Sequence, residues 1–503
     1  MNSKDSRILV RRKRHLSHRL GPRTWEEQAK PMLAARNIQY EMADRTRAIP
    51  CGGVGAFHVL AQRVGLVKAL DRRLHLLQVH LPYHESDHVL NLAYNTLTGG
   101  TALDDITLHR TDEAYLDALG AERIPAPTTA GDFTRRFGRS DVVALLDAVN
   151  ELRLKVWRKR LSRAERRLAV VEADGLVAPT TGECKEGMDM AYKGVWGYHP
   201  LLVSLANTGE PLYLVNRPGN RPSHEGAAEW LDRAAALVRP AFGRVCFRGD
   251  TDFALTVNFD RWSKAGVGFV FGIDAMPNLK AIAGGIEECR WKPLKRRIKR
   301  MVQTEPRRRP ENVKERIVRE REYDNLRLVS EHVAEFPYQP TACKRAYRLV
   351  VLRKNLSVEK GERVLFDDIR YFFYITNLTD RTAAEIVFFA NDRCNQENLI
   401  EQLKNGVHAL RMPVDDLVSN WAYMVMASLA WTLKAWFALV VRDSERREAL
   451  LRMEFRRFLH AIVMVPCQIV RGAGRVLYRI LGYTEWTRTF LRTFDRLRQL
   501  EFT

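Results

Sequence analysis

Three acidic residues stand where a fold can bring their carboxylates together. Asp174 ends the first of several short apolar runs and Asp250 ends the fourth, so neighbouring strands would place both carboxylates at one sheet edge. A predicted helix carries Glu397, which lies four residues after Arg393 and seven before Lys404. At about 100° per residue, these last three side chains share one helix face. The sequence therefore predicts a site with three acidic side chains and two basic side chains, Arg393 and Lys404.

Such a cluster suits divalent cations. Carboxylates are hard oxygen ligands for Mg²⁺ or Mn²⁺, and the divalent charge offsets their mutual repulsion. Two such ions activate a water or hydroxyl and stabilise the leaving oxygen in an in-line displacement at phosphorus. We therefore interpret Asp174, Asp250 and Glu397 as catalytic residues and metal ligands. Arg393 and Lys404 would contact phosphate and the developing charge, so the predicted reaction is hydrolysis or transfer of a phosphodiester.

The composition indicates a polyanionic partner. The 503 residues include 81 Lys and Arg against 60 Asp and Glu, a formal net charge of +21. A surplus spread along the whole chain most often indicates nucleic acid, with membrane surfaces as the lesser alternative. The seven cysteines are scattered singly, which argues against a zinc module or a disulfide framework and favours a reducing compartment.

The texture of the sequence changes along the chain. Helical spacing dominates residues 46–163, and short apolar runs then follow the order β-β-β-α-β-α-β. Six segments are predicted: a basic N-terminal arm (1–45), a helical domain (46–163), a first α/β part (164–290), a basic β-rich insertion (291–372), a second α/β part (373–440) and a helical C-terminal region (441–503). Within the second α/β part, residues 382–404 are predicted to form one helix.

Two basic runs are candidate nucleic-acid contacts. The run at residues 11–14 is followed by no apolar segment, so we expect no secretory signal peptide; it is either an arm that contacts DNA or a solubilising terminus. The insertion opens with a denser run of nearly uniform sign, which favours phosphate contact over a merely solvated loop. Its predicted DNA-binding residues are Lys295, Arg296, Arg297, Lys299 and Arg300. Trp291 beside this run either stacks on an unpaired base or packs in a core.

Two other segments have competing interpretations. Residues 421–441 are apolar enough to raise the question of a membrane span, but the central Lys434 favours a buried helix, and we expect no membrane partner. The segment from His84 to His88 matches H-E-x-x-H, the helical zinc signature. Because Pro82 precedes it and Glu85 suits a helix N-terminus, an ordinary helix start is favoured over zinc.

The order of motifs resembles a known family of DNA-processing enzymes. It reads Asp174 … Arg248-Gly249-Asp250 … Tyr374-Ile375-Thr376-Asn377 … Arg393-x-x-x-Glu397-x-x-x-x-x-x-Lys404. This resembles the DDE transposases of bacterial insertion sequences, in the IS4-like group and most of all the IS1380 family, over residues 165–440. The resemblance implies a mixed α/β fold: an RNase H-like catalytic core with a β-rich insertion, an all-α N-terminal domain and a helical C-terminal region.

The resemblance also implies an activity. Such a protein binds the terminal inverted repeats of its insertion sequence, cleaves the DNA strand and transfers it to target DNA, using two Mg²⁺ ions, or Mn²⁺, held by the three acids. A homodimer in a synaptic complex and a location in the bacterial cytoplasm, at the nucleoid, are expected. Two alternatives stay open: a domesticated DNA-binding regulator without catalysis, and a metal-dependent nuclease without strand transfer.

The match to the family motif departs at one position and leaves two acids in competition. The tyrosine of the family's Y-x-x-R-x-x-x-E pattern falls on Ala390, beside Phe389. Asp252 competes with Asp250, although it also suits the cap of the next helix. Glu401 competes with Glu397 from one helical turn further on, at a spacing that fits the motif less well.

Overall fold

The N-terminal third of the chain is helical. The computed structural model describes residues 3–21, 32, 39–40, 42, 46–182, 184–191, 194–296, 324–360, 363–472 and 474–500. The first elements are α1 (Ser3–Leu20), the short strand β1 (Ala48–Ile49), α2 (Val54–Val64), α3 (Leu66–Arg73), α4 (Glu85–Leu97), α5 (Ile106–Arg110), α6 (Glu113–Leu119), α7 (Pro127–Thr134) and α8 (Arg139–Arg160). Local chemistry sets their ends: the Asp112 carboxylate caps α6 by accepting from two backbone amides, and α7 begins with Pro127.

The middle of the chain alternates strands and helices. Its elements are β2 (Leu168–Gly175), β3 (Ala178–Pro179), β4 (Asp189–Met190), β5 (Trp196–Tyr198), β6 (Leu201–Leu205), β7 (Glu210–Val215), α9 (Ala227–Val238), β8 (Arg244–Gly249), α10 (Phe259–Lys264), β9 (Val267–Ile273) and α11 (Pro277–Gly284). The strands β2, β8 and β9 are parallel neighbours, β6 pairs antiparallel with β2, and β7 pairs antiparallel with β6. The predicted mixed α/β fold is confirmed.

The insertion extends this same sheet. It contributes β10 (Lys292–Pro293) and three long strands, β11 (Asp324–Tyr338), β12 (Tyr347–Lys360) and β13 (Arg363–Thr376). Because β13 pairs antiparallel with β9, nine of the fifteen described strands form one sheet in the order β10-β11-β12-β13-β9-β8-β2-β6-β7. The expected boundary at residue 372 therefore falls inside β13.

The helix predicted over residues 382–404 is interrupted. The structure has α12 (Ala383–Asn391), α13 (Cys394–Glu401) and a π-helical turn at Gln402–Gly406. At the junction the Arg393 amide donates to the Ala390 carbonyl at 3.2 Å, a three-residue step that breaks the regular helix. The prediction of one continuous helix was wrong, and the junction sets where Arg393 and Glu397 lie.

The longest described helix is interior. By length and composition α14 (Leu417–Val440) is long and apolar enough to cross a membrane, and its apolar window is completely buried inside the protein. It packs against α4, α8 and β7. Burial on all sides accounts for its apolar composition without a membrane.

The C-terminal region is not wholly helical. The helices α15 (Ser444–Arg452) and α16 (Phe455–Phe458) are followed by a hairpin, β14 (Cys467–Gly472) and β15 (Arg475–Ile480), and then by α17 (Thr487–Arg498). The expectation of an all-helical region was wrong because β14 pairs with β1 from the other end of the chain. One hydrophobic core accordingly runs from Ile49 to Leu500.

Candidate active site

Two of the predicted acids lie at the same edge of the sheet. The parallel strands β2 and β8 pair so that Glu172 lies opposite Arg248. Asp174 and Asp250 are each two residues further on, which places both on the same face of their strands. Asp250 leaves its strand as the cap of a short 3₁₀ turn, where its carboxylate accepts from the Asp252 amide at 3.2 Å.

Arg393 joins all three acids. This residue is the N-cap of α13, immediately before Cys394, and its side chain reaches the sheet edge. Its Nη1 lies 3.2 Å from Asp174 Oδ2 and 3.4 Å from Asp250 Oδ2, and its Nη2 lies 3.5 Å from Glu397 Oε1. The structure thus brings Asp174, Asp250 and Glu397 together around a single positive charge.

The acids differ in their exposure to solvent. The exposed fraction of the side chain rises from 16% for Asp174 to 33% for Asp250 and 59% for Glu397. Burial, followed by repulsion from Asp250, raises the pKa of Asp174 to about 7. Burial also raises the pKa of Asp250, an effect that Arg393 opposes. The site therefore holds more negative charge than its surroundings stabilise.

A divalent cation fits this arrangement. Three carboxylates offer the oxygen donors that Mg²⁺ and Mn²⁺ prefer, and extra positive charge would favour the ionised form of the two buried acids. Arg393 alone supplies one unit of that charge. The Arg393 guanidinium lies between the three carboxylates, where the negative potential of the site is strongest.

The competing acids lie outside the cluster. Asp252 is exposed and contributes its backbone amide, not its carboxylate, to the turn at Asp250. Glu401 is exposed, and its carboxylate accepts from Asn405 Nδ2 at 2.6 Å. In the described part of the chain, Arg393 pairs with Asp250 and Glu397 and not with the competing acids Asp252 and Glu401. The structure therefore favours Asp250 and Glu397 as the site residues.

A cleft of about 400 Å³ opens beside the acids. Asp250, Arg393 and Ala390 line it together with Tyr374, whose hydroxyl lies 3.3 Å from Asn391 Oδ1. Burial raises the pKa of Tyr374 to about 12, so this hydroxyl stays protonated at neutral pH. A tyrosine thus shares the cleft with Ala390. The motif order includes Tyr374, but the sequence did not predict its place beside Ala390, because Tyr374 lies on β13 and not on the motif helix.

The other predicted DNA-binding residues are dispersed. Lys404 lies exposed on the π-helical turn and takes no part in the cluster around Arg393 in the described structure. Lys295 is exposed, whereas Arg296 forms an ion pair with Glu331, with 2.7 Å between Nη2 and Oε1. The remaining three, Arg297, Lys299 and Arg300, lie outside the described residues.

Trp291 and the H-E-x-x-H segment have structural roles. Trp291 is buried, with the Arg353 guanidinium 4.3 Å from its ring centre, so it packs in the core. The two histidines of the H-E-x-x-H segment do not converge: His88 is buried and stacks on Phe133 with 4.2 Å between ring centres. Burial lowers the pKa of His88 to about 4. The segment starts α4, as its alternative interpretation predicted.

Comparisons with known proteins agree with this chemistry. The chain matches the family described as Transposase DDE domain group 1 over residues 36–502. No curated protein sequence matches it. Among solved structures, the cryo-EM structure of the piggyBac transposase synaptic complex with hairpin DNA aligns with 9% identity over 90% of this chain and 88% of that one. The TM-score of this alignment is 0.35. Because the family match spans nearly the whole length, the chain belongs to the DDE transposases.

Proposed function

We propose that this protein is the transposase of a bacterial insertion sequence of the IS4-like group, most like the IS1380 family. It binds the terminal inverted repeats of its element, cleaves the DNA strand at the ends and joins the freed 3′-hydroxyl to target DNA. The observation that carries the proposal is the position of Arg393, within 3.5 Å of an oxygen of each predicted acid. One point in the fold thereby collects the three carboxylates that the chemistry requires.

Asp174, Asp250 and Glu397 would hold two Mg²⁺ ions, or Mn²⁺. These ions supply activation of the attacking oxygen and neutralisation of the leaving one. The chain itself contributes orientation: the strand ends hold the two aspartates, and α13 brings Glu397 to them. With metal held by the acids, the Arg393 guanidinium would be available to bind a DNA phosphate, for which its fork of donors is suited.

The sheet topology supports assigning an RNase H-like core. In the half-sheet β7-β6-β2-β8-β9, the strands β2, β8 and β9 are parallel, and β6, the next strand after them in the sheet, runs antiparallel to β2. We assign the core to residues 164–290 and 373–440. The helical domain (46–163) and the insertion (291–372), with the exposed Lys295 and Lys404, would grip double-stranded DNA.

The assembly and location follow from the reaction. Two transposon ends must be handled together, so a homodimer in a synaptic complex is proposed, with inverted repeats and target DNA as partners. The net charge of +21 suits such a polyanionic assembly. Function at the nucleoid of the bacterial cytoplasm is proposed on the same grounds.

A direct assay tests the proposal. Purified protein is incubated with a labelled duplex carrying the element's own end, Mg²⁺ and a target plasmid, and the products are scored as nicked, cut or joined. We expect cutting and joining by the wild type and neither by Glu397→Gln, whereas both should bind the end equally. The exposed Glu401→Gln serves as the matched control and should retain activity.

Each other result points elsewhere. Cutting without joined product would indicate a nuclease without strand transfer. Tight end binding without any Mg²⁺-dependent cutting by the wild type would indicate a non-catalytic regulator. Full activity of Glu397→Gln would contradict its place in the site.

A further inference from the structure

A buried ion pair lies directly beneath the carboxylates of the site. Glu172 and Arg248 are only 2% and 5% exposed, with 2.6 Å between Oε1 and Arg248 Nη2 and 2.7 Å between the same oxygen and Arg248 Nε. Each is two residues before a site aspartate on its own strand, so the pair shares a face with Asp174 and Asp250. Removing two charges from water costs free energy unless the charges are closely paired and their remaining hydrogen-bonding groups have partners.

Arg248 has a second contact that reaches the motif helix. Its Nη1 donates to the Phe389 carbonyl at 2.6 Å, and its guanidinium lies 4.8 Å from the Phe389 ring centre. That carbonyl is available because the expected partner, the Arg393 amide, bonds to Ala390 instead. Arg248 therefore satisfies the backbone group that the break between α12 and α13 exposes.

The break is also where the site is assembled. Arg393 is the N-cap of α13, and Glu397 follows it about one turn later. A second tether holds the same helix to the sheet, since Gln396 Nε2 lies 3.2 Å from Ser204 Oγ on β6. Arg248 thus holds the junction before α13, and Gln396 holds the first turn of the helix.

We infer that Glu172 and Arg248 are positioning residues of the active site: their buried pair fixes the junction between α12 and α13 and so holds Arg393 and Glu397 at Asp174 and Asp250. Glu172 orients the guanidinium, and the guanidinium holds the Phe389 carbonyl. The inference rests on the proposed function, in that the held carboxylates bind divalent metal. Mutation of residues that position metal ligands without touching the metal commonly lowers metal affinity about 10- to 100-fold.

The chain offers a matched control for this role. Glu210 and Arg153 form another buried ion pair, 0% and 3% exposed, with 3.3 Å between Oε1 and Nε. It joins β7 to α8, and neither residue contacts the acids or Arg393 in the described structure. Glu172→Gln and Glu210→Gln thus remove the same charge from equally buried pairs.

The experiment measures Mn²⁺ binding to the full-length protein by titration calorimetry and by the electron paramagnetic resonance signal of free Mn²⁺, with thermal unfolding followed in parallel. We expect the wild type to bind, Asp174→Asn to lose binding, and Glu172→Gln to bind at least about tenfold more weakly. Glu210→Gln should lower the unfolding temperature yet keep Mn²⁺ affinity within about twofold. Arg248→Lys should also bind weakly, because an ammonium lacks the fork that spans Glu172 and the carbonyl.

The possible failures are distinguishable. Equal Mn²⁺ affinity in wild type, Glu172→Gln and Glu210→Gln would overturn the inference and leave the proposed function standing. Wild-type affinity in Arg248→Lys would overturn the role of the Phe389 contact. Absence of Mn²⁺ binding by the wild type would overturn the proposed function and the inference with it. Since Gln is isosteric with Glu, Glu172→Gln keeps the test valid even where an Arg248 variant does not fold.

Discussion

At the scale of single residues, the candidate site is governed by the charge that Asp174 must carry. Its carboxylate is mostly buried, close to Asp250, and paired with Arg393. Because its pKa is about 7, this carboxyl carries a proton increasingly as the pH falls below neutral. A cation that binds this carboxylate must displace that proton.

We predict that Mn²⁺ affinity falls as the pH is lowered through about 7. The sign follows from the raised pKa: above it Asp174 is ionised and ready to bind, and below it each unit of pH costs up to about tenfold in affinity. Calorimetric titration between pH 5.5 and 8.5 measures this dependence. The exposed Glu401→Gln, outside the cluster, should titrate like the wild type, and an affinity that stays constant from pH 6 to 8 would contradict the assignment.

At the scale of elements, one buried carboxylate joins the helical domain to the sheet. Glu210 on β7 is fully buried and accepts hydrogen bonds from Trp157 Nε1 of α8 at 2.7 Å and from Trp436 Nε1 of α14 at 2.9 Å. Arg153 of α8 completes the network. The indole N–H of Trp436 is thereby satisfied within the protein, in keeping with the buried position of α14.

We predict that Glu210→Ala lowers the free energy of unfolding by about 3–5 kcal/mol, because it leaves Arg153 charged and unpaired in the interior. Urea denaturation followed by tryptophan fluorescence measures the loss. The exposed Glu401→Ala should change stability by no more than about 0.5 kcal/mol. A similarly small change in Glu210→Ala would show that the network does not hold the two elements together.

At the scale of the whole molecule, the N-terminal helix α1 presents basic side chains to solvent. Leu9 is buried and Arg12 Nη1 donates to the Ile480 and Gly482 carbonyls at 3.0 and 3.1 Å, which anchors the first half of α1 to the C-terminal hairpin. Residues 13–20 are exposed throughout. A basic helix displayed in this way suits the phosphates of DNA.

We predict that the triple variant Arg7→Gln, Arg11→Gln, Arg14→Gln binds duplex DNA more weakly than the wild type and with a shallower salt dependence. The slope of log affinity against log salt should fall by about 0.9 for each DNA phosphate that the variant no longer neutralises. Electrophoretic or anisotropy titrations at several salt concentrations measure both quantities. Arg442, Arg456 and Arg457, exposed elsewhere, provide a charge-matched triple control; equal effects in the two variants would mean that α1 contributes only net charge.

Locally encoded features were predictable from the sequence. The strands β2 and β8 end at the acids, as predicted. Alternating apolar residues and turn-forming Asp and Gly act within a few positions, so they can be recognised without knowing the fold. The same locality explains why Asp174 and Asp250 could be recognised as strand-end residues.

Features that depend on distant partners were decided only by the tertiary structure. The hairpin β14–β15 needs β1, and the sheet continues into the insertion because β13 meets β9. The break before Arg393 is held by Arg248, which lies far away in the sequence. What the sequence determined by itself was therefore which acids and cations are present and which local elements carry them. Their convergence on Arg393 was decided by packing, because pairing across long separations is set by the whole core and leaves no periodic signal in the segments that pair.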